Sequence, residues 1–121
     1  MVELLAALLL LTATPASEDA SVLARMEWVE SRGNPLARNQ SSGCVGLLQV
    51  QPLYARVPEP LLYLPLVNRI EGARILRRWK HRRCGGRLRC AVRAYACGAK
   101  ALRDPRACGR YADAVLRRGG E

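Results

Sequence analysis

Five cysteines in a chain of 121 residues narrow the possibilities more than any other feature. That density is high for a reducing cytosol and points to a cross-linked domain in an oxidising compartment. Cys84 and Cys90 flank Gly85-Gly86, and Cys97 and Cys108 flank a short basic segment. Pairing within each of these two sets leaves Cys44 as the odd thiol. Four cysteines nevertheless allow three pairings, and spacing does not choose among them. A zinc site is the weaker reading. There is no C-x-x-C, and His81, the one histidine, sits in the basic run Lys80-His81-Arg82-Arg83.

The length suits one domain with a single core. Half of the residues are apolar, so that core can be built. The net charge is +10, carried almost entirely by arginine. A surface this basic calls for an anionic partner such as nucleic acid, a membrane or an acidic polymer like cell wall. A large multidomain enzyme and an ordinary transmembrane protein are excluded. Leu4 to Leu11 form an apolar run too short to span a bilayer, followed by the small residues of Thr14-Pro15-Ala16. The expectation is a signal peptide over 1–16, cleaved after Ala16, and one domain over 17–121. Glu3 and the lack of a basic n-region depart from that pattern, and a buried helix or an uncleaved anchor are the alternatives.

Helical spacing dominates the rest. Val22, Met26 and Val29 form one stripe, predicting a first helix from about Asp19 or Ala20 to Ser31, capped by Ser17 or Asp19 and stopped by Gly33-Asn34-Pro35. Residues 36–52 read as a loop with short extended or irregular pieces. Pro52, Pro58, Pro60 and Pro65 forbid one long helix through the next stretch. Leu66, Ile70, Ala73, Leu76 and Trp79 predict a second helix over 66–82. A third is expected over 88–96, with Ala91, Val92 and Tyr95 on its stripe. A fourth is expected from Asp104-Pro105, with Tyr111, Ala112, Val115 and Leu116 facing inward.

Glu30 stands out chemically. It lies at the end of an apolar helix, where desolvation and the helix dipole both disfavour an anion. A carboxylic acid kept protonated near neutral pH serves as a general acid. Position alone favours an exposed helix-end glutamate, but the surrounding motifs change that weighting. Glu30-Ser31 is followed by Gly46-Leu47-Leu48-Gln49, by Asn68 and Gly72, by Ala94-Tyr95-Ala96-Cys97-Gly98, and by Tyr111-Ala112-Asp113. This order and spacing resemble the catalytic domain of lytic transglycosylases, whose lysozyme-like fold is shared with goose-type lysozymes.

The resemblance implies a mainly helical, α+β lysozyme-like domain with an irregular or short-strand segment after the catalytic helix. It implies that Glu30 is the single catalytic acid and base. Ser31, Leu48, Gln49 and Tyr95 inherit substrate-binding roles, with Tyr95 beside Glu30. Leu48 replaces the family's methionine, and Ala96 replaces the asparagine of its A-Y-N-A-G motif. That second change puts a polar contact of the cleft in doubt.

A glycosidic oxygen needs a proton as its sugar gains oxocarbenium character, and ordinary glycosidases add a second carboxylate. Glu59 and Glu71 read as surface residues, so no second acid is apparent. The resemblance implies that the muramoyl 6-hydroxyl acts as the nucleophile, closing a 1,6-anhydro ring without water. It implies peptidoglycan glycan strands as the partner, no cofactor or metal, and a monomer in the periplasm or outside the cell. Neither nucleic-acid binding nor stable membrane insertion after cleavage is expected. The arginines between Arg74 and Arg93 would attract anionic wall. A hydrolytic lysozyme and a catalytically impaired wall-binding or assembly module of the same fold are the competing readings. Wall turnover, a secretion or conjugation apparatus and a phage are all compatible contexts.

Overall fold

The computed structural model describes residues 17–117. The expected leader lies outside them. Among the described residues five helices form: α1 (Ser17–Ser31), α2 (Pro65–Arg82), α3 (Leu88–Cys97), α4 (Lys100–Arg103) and α5 (Gly109–Leu116). Two 3₁₀ segments, Pro52–Tyr54 and Glu59–Tyr63, lead into α2. The domain is mainly helical, as the sequence predicts. The segment after α1 makes only isolated bridges, Arg38 with Val45 and Val45 with Val50.

In α1 the stripe of Val22, Met26 and Val29 faces the core, with Val22 and Met26 fully buried. Ser17 lies within the helix and Asp19 does not cap it; the Asp19 carboxylate instead meets Lys80 Nζ at 3.3 Å. The helix stops where Arg32 and Gly33 turn to positive φ. At the far end of the chain, Arg25 Nε donates to the Val115 carbonyl and ties α1 to α5.

Helix α2 begins with Pro65 at its first turn, where a missing N–H costs nothing. Its buried face is not the one its large apolar residues suggest. Leu66 and Ile70 are 69% and 56% exposed, while Asn68, Glu71, Gly72, Ile75 and Leu76 turn inward. The hydrophobic pattern misleads because three of the five packing positions are a polar amide, an acid and a glycine. Glu71 is therefore buried rather than on the surface. Its carboxylate accepts the Arg56 N–H and pairs with Arg74 at 3.3 Å. Both neighbours hold its pKa below the usual value, outweighing its desolvation.

Two disulfides brace the C-terminal half. Cys84–Cys90 closes the turn between α2 and α3, and Cys97–Cys108 joins the end of α3 to the start of α5. Cys44 is a free thiol. The expected helix start at Asp104-Pro105 does not form. Asp104 Oδ1 instead accepts the Arg106 N–H at 2.9 Å in a turn, and α5 starts only after Cys108, a left-handed residue. Arg93 holds this turn together. Its Nε donates to Ala107 O at 2.9 Å, and Nη2 donates to Ala101 O at 3.1 Å and to Asp104 O. Arg93 is buried, so it does not belong to the basic surface.

The α2 rotation has a direct check. Ile70→Ser is expected to change unfolding free energy by no more than about 0.5 kcal/mol in urea denaturation. Leu76→Ala is expected to cost about 2–5 kcal/mol. Comparable losses at the two positions would contradict the observed face.

Candidate active site

The turn around Glu30 is assembled from three parts of the chain. Ser31 Oγ donates to Glu27 O at 3.0 Å and accepts the Gly33 N–H at 3.2 Å, so its hydroxyl secures the helix end. The Arg32 guanidinium stacks over Trp28, 5.1 Å from the ring centre. From α5, the Tyr111 hydroxyl donates to Glu30 Oε2 at 3.2 Å. From α3, the Tyr95 hydroxyl donates to Leu48 O at 2.6 Å. Burial, then the nearby Glu30 charge, raise the pKa of both phenols and keep them protonated.

The loop beneath is organised by Asn68. Its Oδ1 accepts the Leu48 N–H at 2.7 Å, and Nδ2 donates to Val45 O at 2.7 Å and to Leu62 O at 2.8 Å. Gly46 lies against this amide. A Cβ there would sit 2.3 Å from Asn68 Nδ2 and 2.6 Å from Leu62 O, and its φ of +81° is strained for other residues. Gly72 is equally tight, since a Cβ would meet Leu48 Cδ1 at 2.5 Å and Tyr95 Oη at 3.2 Å.

The residues proposed from sequence thus occupy distinct places. Glu30 faces Tyr111, and Tyr95 is bonded to Leu48 rather than to Glu30. The Leu48 side chain is buried in the core, although it also floors a groove. Gln49 has φ of 48°, and its Nε2 donates to Ala37 O at 3.2 Å and Gly46 O at 3.0 Å. Its amide nitrogen therefore secures the loop. Tyr111 is the functional candidate that sequence reasoning placed inward and among the family motifs, but without a role at the site. The signal that could have found it was its hydroxyl, which needs a partner when buried. The groove, of about 480 Å³, runs beside the Glu30 turn and is walled by Leu23, Glu27, Trp28, Gly33, Leu48 and Arg69.

Electrostatics separate Glu30 from the other acids. Glu27 pairs with Arg69 at 2.8 Å, Glu71 with Arg74, Asp19 with Lys80 and Asp113 with Arg89. Asp104 accepts a backbone N–H, and Glu59 is exposed. Among the described side chains, Glu30 is the one part-buried carboxyl with no cation or backbone N–H against it. Burial raises its pKa from 4.5 to about 7, against the opposing pull of the Tyr111 hydrogen bond.

The sequence matches the transglycosylase SLT domain family over residues 12–112. The chain belongs to the SLT transglycosylase family. No curated protein and no solved structure gives a significant match. Family membership carries a lytic transglycosylase function on peptidoglycan at the level of the family. In this SLT domain the part-buried carboxyl at the end of α1, with two tyrosines nearby, is the arrangement able to give and take a proton near neutral pH.

The raised pKa couples Glu30 to stability. A carboxyl whose folded pKa lies above its unfolded value contributes stability that is present below about pH 4.5 and lost as pH rises through about 7. Glu30→Gln keeps the shape and removes the charge. The variant is expected to match the parent in thermal melting below about pH 4.5 and to exceed it by up to about 3 kcal/mol above about pH 8. A stability difference that ignores pH would contradict the desolvated carboxyl.

Proposed function

We propose that this chain cleaves the β-1,4 bond between N-acetylmuramic acid and N-acetylglucosamine in peptidoglycan, with Glu30 as acid and then base. The observation that carries the reading is the unpaired, part-buried Glu30 with a pKa of about 7 and no unpaired buried carboxylate beside it among the described side chains. At neutral pH about half of such a group is protonated. It donates its proton to the glycosidic oxygen as the bond to the muramoyl C1 breaks. The same carboxylate, now ionised, takes the proton from the muramoyl 6-hydroxyl, whose oxygen bonds to C1. The products are a free 4-hydroxyl and a 1,6-anhydro ring, and water is not consumed.

The groove beside α1 supports a path for the glycan, with Trp28 as an apolar wall. Ser31, Leu48, Gln49 and Tyr95 are the substrate-binding residues of this reading, with Leu48 among those lining the groove. Tyr111 is a positioning residue: its hydrogen bond fixes the carboxyl and favours the ionised form needed for the second step. In this reading the protein works in the cell envelope, a setting in which two disulfides would persist. The leader over 1–16 and a monomeric state complete the proposal.

Digestion of purified peptidoglycan, read by mass spectrometry, tests it. The expected products end in 1,6-anhydro-muramic acid, and Glu30→Gln is expected to lower their rate by about a thousandfold. Reducing ends would mean a hydrolase. No products from folded protein would favour the impaired module, with the exposed Ala96 as the first position to restore to asparagine.

Tyr111→Phe separates positioning from packing. Loss of the hydrogen bond is expected to raise the Glu30 pKa further, moving the alkaline limb of the kcat/KM profile up by about one pH unit. A lower rate with an unmoved limb would leave Tyr111 a purely structural role.

A further inference from the structure

A second groove, of about 420 Å³, lies on the opposite flank of α2 from the groove beside α1, between that helix and the 3₁₀ turn Pro52–Tyr54. It is lined by the apolar side chains of Leu53, Tyr54, Ile75 and Trp79 and by the bases Arg74, Arg78, Arg82 and Arg83. The geometry is built rather than incidental. Arg74 Nη2 donates to Tyr54 O at 2.6 Å and also pairs with buried Glu71, which clamps the turn to the helix. Arg78 and Arg82 follow at intervals of four residues along the same flank, each displaced by about 6 Å along the axis. Arg78, Arg82 and Arg83 have no ion-pair partner among the described residues.

Unpaired arginines beside a concave wall specify an anion, and a guanidinium fork matches phosphate in bidentate fashion, as it does carboxylate. The apolar rim decides its source. Leu53 is 82% exposed and Tyr54 58% exposed at the mouth of the groove. A soluble polyanion or a nucleic acid would use the arginines and leave Leu53 in water. A bilayer surface takes both, since leucine and aromatic rings enter the interface while arginines hold headgroup phosphates. We propose that this groove docks the domain on an anionic phospholipid surface, with a lipid phosphate among Arg78, Arg82 and Arg83 and with Leu53 and Tyr54 entering the interface. The docking is peripheral, as no described helix is long and apolar enough to cross a membrane.

The test uses the full chain carrying Trp28→Phe, which leaves Trp79 in the groove wall as the sole tryptophan. Vesicles of phosphatidylcholine with phosphatidylglycerol are compared with phosphatidylcholine alone by co-sedimentation. Brominated phosphatidylglycerol serves as a quencher of Trp79. The expected result is preferential, salt-sensitive binding to the anionic vesicles with quenching of Trp79. Replacing Arg78, Arg82 and Arg83 together with glutamine is expected to weaken binding on the order of a hundredfold, about fivefold per arginine. Leu53→Ser, at an exposed position that folding does not require, is expected to weaken it severalfold. Residues 1–16 are common to every variant, so the differences report on the groove.

Equal binding to neutral vesicles, no quenching of Trp79, or a triple variant that binds like the parent would overturn the proposal. So would tight binding of soluble polyphosphate or duplex DNA that competes with vesicles and is indifferent to Leu53→Ser; that outcome would assign the groove to a polyanion in solution. None of these measurements involves peptidoglycan, so they stand apart from the glycan-cleaving reading.

Discussion

The architecture around Glu30 depends on one buried amide. The segment from Val45 to Leu48 crosses the core with isolated bridges at Val45 in place of a sheet, and a buried backbone group without a partner is costly. Asn68 supplies what a sheet would have supplied. One side chain receives the Leu48 N–H and donates to the Val45 and Leu62 carbonyls. The Leu48 carbonyl is thereby aimed at the Tyr95 hydroxyl, which links the loop to α3. Gly46 and Gly72 are consequences of the same packing, since a Cβ at either would push directly into Asn68 or Leu48. An apolar residue at 68 could fill the volume but would leave the Leu48 N–H without its acceptor and take a donor from the Val45 and Leu62 carbonyls, the first of which keeps the Val50 N–H.

Tyr111 reaches Glu30 by a different device. Helix α5 has eight residues, too few to hold itself together in water. Its position is imposed from outside. The Cys97–Cys108 bridge fixes its first turn to the end of α3, Arg93 ties down the preceding turn through three carbonyls, and Arg25 holds its last turn to α1. The short helix is thus a rigid mount. The disulfide pattern visible in the sequence therefore bears on the chemistry as well as on stability, through the residue three places beyond Cys108.

Much of this was legible in the residues themselves. The α1 stripe is made of large apolar side chains at regular spacing, and its end is marked by glycine and proline, so both follow from simple rules. The family resemblance carried Glu30 because its motif is local. The inward face of α2 was not legible, because Asn68, Glu71 and Gly72 are buried for reasons that hydrophobicity does not score: hydrogen bonding, ion pairing and close approach. The Asp104-Pro105 signal was real chemistry applied to a turn, where the aspartate caps Arg106 instead of a helix. Arg93 was counted with the surface arginines because nothing local distinguishes a base that binds carbonyls from one that binds solvent. Tyr111 could be placed near the core, but its hydrogen bond spans 81 positions and is settled only by tertiary packing.

The distribution of charge ties the two flanks of α2 together. Bases outnumber acids twofold, 20 to 10, so the simplest outcome would be a cation beside every carboxylate. Four acids do have one. At Glu30 the neighbours are instead two phenols and the apolar floor of the core, and burial there lets the carboxyl keep its proton up to about pH 7. The arginines are kept away by being committed elsewhere: Arg25 to a carbonyl, Arg32 to the Trp28 ring, Arg69 to Glu27, and Arg78 and Arg82 to the far flank of α2. A cation brought against Glu30 would stabilise the fold and at the same time remove the protonated acid. The site is thus defined as much by the exclusion of positive charge as by the carboxyl itself, and that exclusion is achieved in a chain whose bases outnumber its acids twofold.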